Sequence, residues 1–154
     1  MTESNVEKII REYLSCVIHL SLATSIDNKP WICEVHFVFD ADLNLYFRSK
    51  TDQRHSHEIA HNNRVAGNIV EQHAVGQRVR GVYFEGIAEL LENVDENHPA
   101  YTLYCERFQT DTAILEEAKE KDGHQFYRIS VETFYLFDER ESSPSQKYEL
   151  PWSR

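Results

Sequence analysis

The chain has 154 residues, 41% hydrophobic and 12% aromatic, enough for one packed core and too few for two comfortable domains. Its 16 basic against 26 acidic side chains give a formal net charge of −10, a field that repels phosphodiester chains and anionic membranes and so argues against nucleic acid or membrane as a partner. Glu3, Glu7, Lys8, Arg11 and Glu12 fall where a signal peptide needs an unbroken apolar stretch, and no run approaches a membrane span. Cys16, Cys33 and Cys105 are an odd number with no CxxC pair, which suits a reducing cytosol. The expectation is one soluble cytoplasmic domain, residues 1–154.

The first element is an amphipathic helix. In SNVEKIIREYLS, Val6, Ile9, Ile10, Tyr13 and Leu14 fall at i, i+3, i+4, i+7 and i+8, and Ser4 and Glu7 have the spacing of a capping box. From Cys16 the pattern changes. CVIHLSLAT, PWICEVHFVFD and LNLYFRS are β-branched and aromatic runs separated by the turn-forming SIDNK and DAD, which predicts three consecutive antiparallel strands. A short helix near 54–62 precedes two more strands, RVAGNIVEQ and RVRGVYFEGIAELLEN, split by HAVGQ. Gly81 and Gly86 lie inside the second of these, where glycine marks a bend, a bulge or the close approach of another group.

Residues 97–120 return to helical spacing in two pieces, with Asp111 or Thr110 as the cap of the second. HQFYRISVETFYLFDE is a last strand, and RESSPSQKYELPWSR reads as a flexible polar tail. Six strands with mostly antiparallel neighbours would leave exposed edges in an open sheet, so a partly closed barrel is expected. The fold class is mainly β with flanking helices.

The chain has no GxGxxG, P-loop or GxSxG motif. It does contain HEIAH, His57 to His61, a literal match to the zinc-binding HExxH helix. Its neighbours argue against a zinc hydrolase: the helix is bounded by Lys50, Thr51 and Asp52 before it and by a strand from Arg64 after it. Arg64 and Gly67 stand where the extended motif needs glycine and a third histidine. A third ligand from Glu71 or Glu85 is not singled out by spacing, and no metal site is assigned.

Residues 46–80 carry Arg48, Lys50, Arg54, Arg64, Arg78 and Arg80 against only Asp52, Glu58 and Glu71, a positive basin suited to a small anion. Arg48, Lys50 and Arg54 surround the start of the short helix, with Ser49 and Thr51 as hydroxyl donors. A helix N-terminus adds free amides and a positive dipole end, which together describe a site for a terminal phosphate.

The order LYFRSKTDQRHSHEIAHNNRVAGNIV followed by RVRGVYFEGIAELL resembles the FMN-binding split-barrel proteins related to pyridoxamine 5'-phosphate oxidase. YCERF and the ending KYELPW resemble a small bacterial branch of that superfamily. The resemblance implies a six-stranded antiparallel split barrel, a homodimer, and FMN in clefts between the subunits. It implies that Arg48 and Ser49 lie along the flavin edge and phosphate, and that Gln53, Arg54 and His55 match the serine, arginine, lysine run that grips the phosphate. Arg80 matches the arginine of the fifth-strand motif. Ile32, Cys33, Glu34 and Val35 would run beside the isoalloxazine. Two positions depart from the pattern: His55 stands for lysine, and Gly81 for the glutamine after the arginine.

The implied function is that of a flavin-dependent oxidoreductase with no assigned catalytic acid or base. The alternative is a non-catalytic or haem-binding relative, to which the lost lysine and glutamine and the eight histidines point.

Overall fold

The computed structural model describes residues 1–141 and 143–152. Its first helix, α1 (Glu3–Cys16), is capped by Thr2, whose hydroxyl accepts from the Asn5 amide at 3.2 Å. Ser4, expected as the cap, already lies within the helix. The apolar stripe is as the spacing predicts, with Val6, Ile10, Tyr13 and Leu14 buried.

Next come β1 (His19–Ile26) and β2 (Lys29–Phe39). Asp27 and Asn28 join them with φ of 51° and 60°, the paired positive values of a tight hairpin turn that Asx residues tolerate. The chain continues through β3 (Leu45–Lys50), α2 (Arg54–His61), β4 (Arg64–Val70) and β5 (Arg80–Leu90). Then follow α3 (Pro99–Phe108), α4 (Ala113–Ala118), β6 (His124–Asp138) and β7 (Gln146–Pro151). Thr112 is the N-cap residue of α4 and makes no side-chain cap bond; Asp111 does that work one position earlier, accepting from the Ala113 amide at 2.9 Å.

The described strands number seven, not six. Their order is β3-β2-β1-β4-β5-β6-β7, and a further pairing of β3 with β6 closes the first six into a barrel. β6 is long enough to serve two neighbours: residues 124–129 pair with β3 and residues 133–138 with β7. The predicted polar tail therefore contains a strand. Lys147 and Glu149 are exposed, Tyr148 packs against the core partly buried, and Leu150 and Trp152 enter it at 5% and 7% exposure. The Trp152 indole N–H donates to the Asp42 carbonyl at 2.7 Å, satisfying its one polar group.

A bulge fits β6 to the barrel. Glu85 pairs with Thr133 and Gly86 with Val131, so Glu132 has no partner on β5. That extra residue reverses the inward parity, which lets Tyr127, Ile129 and Val131 share one core with Phe134 and Leu136. Gly86 is required at the turn of the register, because a Cβ there would collide with the Ser130 carbonyl.

The barrel core also takes in the apolar side of α1 and Ile59 of α2. A second, smaller cluster lies outside the barrel, where α3 and α4 pack on Val38, Tyr46 and Phe126. Arg107 fastens α3 down: it donates to the Leu14 and Val17 carbonyls, each at 2.7 Å, and to Phe37 O at 3.0 Å. A cation is favoured there, at the carbonyl end of α1.

Candidate functional site

β2 pairs with β3 only through Phe37, Val38 and Phe39. It stays on β1 from Lys29 to His36, while β3 stays on β6 out to Lys50 opposite His124. Before Phe37 on one strand and after Phe47 on the other, the two strands part. The gap is a cleft of about 530 Å³, within the usual size range for small-molecule sites. β2 contributes Glu34, Val35 and His36 to its walls, and β3 contributes Arg48, Ser49 and Lys50. Gln53 and His55 come from the start of α2, Tyr104 from α3 and His124 from β6.

The cleft is rich in donors. Ser49 is 5% exposed and its Oγ lies 2.6 Å from His55 Nε2. Burial pushes the His55 pKa below its ordinary 6.5, opposed only in part by Glu58, so near neutral pH the ring is uncharged. Ser56 donates to the Lys50 carbonyl at 2.7 Å, which fixes the first turn of α2 against the end of β3. Gln53 caps that turn without a side-chain hydrogen bond, leaving its first amides untaken by a cap.

Arg48 is the enclosed cation of the site. Its Nη2 donates to Glu117 Oε2 at 2.6 Å and to the Ile114 carbonyl at 3.4 Å. The guanidinium lies 5.6 Å from the ring centres of Tyr104 and Phe126. Its Nε is buried and has no partner among the described residues. Burial by itself would raise the Glu117 carboxyl, but the His124 amide and ring, and then Arg48, hold it below its ordinary value.

Of the sequence-expected cofactor residues, Arg48, Ser49, Lys50, Gln53 and His55 thus meet in one cleft. The others do not join them within a single chain. Thr51 is exposed in the turn before α2. Arg54 turns away, donating to Glu58 at 2.8 Å and stacking 4.3 Å from the centre of the Trp31 ring. Arg80 pairs with Asp138 at 3.0 Å, at the far end of the 15-residue β6 from His124. Cys33 packs against the barrel core, half-buried, with burial pushing its thiol up to about 11, so it is a neutral, unreactive thiol.

The HEIAH stretch has a structural explanation. Glu58 is 1% exposed and accepts from Thr24 at 3.2 Å and from Arg54, which seats α2 in the mouth of the barrel. A carboxylate so engaged is not free to act as the general base of a zinc hydrolase. His57 and His61 point outward, ring centres 4.5 Å apart, and His61 Nδ1 donates to the His57 carbonyl. Among the described residues no group of three His, Cys, Asp or Glu is placed to hold a metal.

Sequence reasoning missed His36, Tyr104, Glu117 and His124. Tyr104 reads as part of an apolar helical stripe, and it is one, packed on Phe126 and Phe108. His124 is brought to the cleft by the pairing of β6 with β3, in which it faces Lys50, and the partner of that strand is what the sequence withholds.

A family model described as pyridoxamine 5'-phosphate oxidase matches residues 6–138. A UPF0306 protein of Photorhabdus laumondii subsp. laumondii is 30% identical over 108 residues, 70% of this chain and 75% of that protein. Among solved structures, Campylobacter jejuni ChuZ superposes with a TM-score of 0.78 at 17% identity, over 98% of this chain and 61% of that one. HutZ, the haem storage protein of Vibrio cholerae, gives 0.64 at 18% identity over 86% and 93%. An FAD-binding protein of Mesorhizobium loti gives 0.63 at 19% identity over 84% and 90%. At these identities the three structures speak for the fold.

Proposed function

Because the chain belongs to the pyridoxamine 5'-phosphate oxidase family, we propose that it binds FMN in the cleft between β2 and β3 and serves as a flavin-dependent oxidoreductase. The observation that carries this reading is the meeting of Arg48, Ser49, Lys50, Gln53 and His55 in one cleft beside the first turn of α2. Guanidinium, ammonium, amide and hydroxyl donors in that number suit a phosphate monoester, and Arg48 keeps a buried Nε free for it. His55 replaces a charged donor with a neutral one, which makes Arg48 and Lys50 the main source of positive charge. A bound flavin supplies hydride or electron transfer; the chain's own groups hold the phosphate, orient the ring and set the charge around it.

A homodimer belongs to the same proposal. On the outer face of the sheet, Ile32, Ala23, Ala66 and Glu85 lie in register across β2, β1, β4 and β5, with Tyr83 one step along. Ile32 is 61% and Tyr83 39% exposed. An apolar strip of this kind suits a second copy of the chain, and Glu34 borders both the strip and the cleft. Light scattering at micromolar concentration should give twice the chain mass; a monomer would speak against a shared site. The free thiols of Cys16, Cys33 and Cys105 accord with a cytoplasmic protein.

The deciding experiment is a spectrum. Protein incubated with FMN and desalted should retain flavin absorbance in proportion to chain, and protein that emerges colourless would sink the reading. A second reading, haem binding, is favoured by three imidazoles in the cleft, His36, His55 and His124, and by the likeness to a haem storage protein. Titration with hemin separates the two: a Soret band lost in the histidine variants would favour haem.

A further inference from the structure

Resting on the phosphate site proposed above, the geometry points to Glu117 as a built-in competitor for that phosphate. The Arg48 guanidinium holds the Glu117 carboxylate until an incoming phosphate exchanges with it, and α4, which carries Glu117, loosens in step.

Four observations support the exchange. Arg48, 11% exposed, is closely enclosed, and Glu117 is its carboxylate partner at 2.6 Å. The pairing is incomplete, since Nε has no acceptor among the described residues. A phosphate offers three acceptor oxygens where the carboxylate offers Arg48 one, so it can satisfy Nε as well as Nη2.

Glu117 is also built to let go. Its Oε2 faces Arg48, whereas its Oε1 accepts both the His124 amide and His124 Nδ1, each at 2.9 Å. Releasing Arg48 leaves the carboxylate anchored on His124 rather than stranded. The residue is 33% exposed, so water can take over the freed oxygen. Finally, α4 is only six residues long, too short to hold itself helical without its contacts. The other carboxylate of the cleft, Glu34, accepts from Ser21 on β1 and is not in this contest.

Exchange predicts a preference that runs against simple donor counting. Glu117→Gln keeps an oxygen for His124 but removes the competing charge. It should tighten FMN binding about tenfold, the scale of one charge-assisted hydrogen bond, and leave riboflavin within about twofold. Glu116→Gln, one residue away on an exposed pair with Lys119, should change neither. In the wild type, hydrogen exchange of the α4 amides should speed up with FMN and not with riboflavin. This second measurement stands even if Glu117→Gln is unstable.

A merely structural ion pair predicts otherwise: Glu117→Gln would bind FMN equally or more weakly, and FMN would slow α4 exchange. Either result overturns the proposal while leaving flavin binding intact. Inorganic phosphate, titrated in parallel, covers the converse. If it binds Glu117→Gln more tightly than wild type while FMN binds neither, the exchange stands and the flavin reading falls. If no phosphate compound binds either protein, both fall.

Discussion

Arg48 and Arg80 are enclosed to nearly the same degree, 11% and 14% exposed, each with a carboxylate partner and a buried Nε without one among the described residues. Their surroundings differ. The partner of Arg80, Asp138, is 0% exposed and also accepts from the Arg140 amide at 2.8 Å. The Arg80 carbonyl accepts from Tyr13, whose hydroxyl in turn accepts from the Glu71 amide at 2.7 Å. Helix, strands and loop all meet in that network. The partner of Arg48 sits on a six-residue helix at the edge of an open cleft. The Arg80 pair is locked to a fully buried carboxylate, whereas the partner of Arg48 is 33% exposed on a short helix, which separates a structural arginine from one able to take a ligand.

Breaking each pair should show the contrast, beginning with the larger effect. Asp138→Ala leaves the enclosed Arg80 with only the exposed Glu141, 3.6 Å away, and should cost about 3–5 kcal/mol in urea unfolding. A loss below about 1 kcal/mol would mean that Arg80 escapes to solvent. Arg48→Met keeps the packing on Tyr104 and Phe126 and should lower stability by less than about 1 kcal/mol, because Glu117 is partly solvated. The same change should weaken FMN by about 1.5–3 kcal/mol while sparing riboflavin. Equal losses for the two flavins would move the phosphate elsewhere.

The smallest effect sharpens the cleft side of the comparison. Burial lowers the His55 pKa from 6.5, so the unfolded chain binds that proton more readily than the folded one. Stability from this source is complete above about pH 6.5 and is lost as the pH falls through the lower folded value. The urea midpoint of His55→Gln should therefore decline less than that of wild type between neutral and mildly acid pH. Parallel declines would show that burial does not hold the ring neutral.

Most of the barrel was legible in the sequence. Alternation and turn residues mark β1 to β6, and the period of α1 marks its buried stripe, because these patterns depend on near neighbours in the chain. KYELP was missed since its alternation is short and polar; it is a strand because β6 has a free edge beyond the reach of β3. HEIAH misled for a related reason. Five letters fix the spacing of Glu58 from its histidines, but whether the carboxylate faces solvent or Thr24 depends on where the helix docks.

By itself the sequence determined a barrel-forming order of strands, a positive basin around Arg48, Ser49 and Lys50, and the family likeness those residues carry. Only the tertiary structure decided which basic residues share a site. β2 and β3 separate after three paired residues, and that separation, set by the partners each strand keeps, opens the cleft. Arg54 lies on Trp31 and Arg80 on Asp138, while Tyr104 and His124 line the cleft from elements far along the chain and Glu117 joins it through Arg48. Charge and periodicity are local properties of a sequence, whereas the company a side chain keeps is settled by strand pairing and helix docking over long separations.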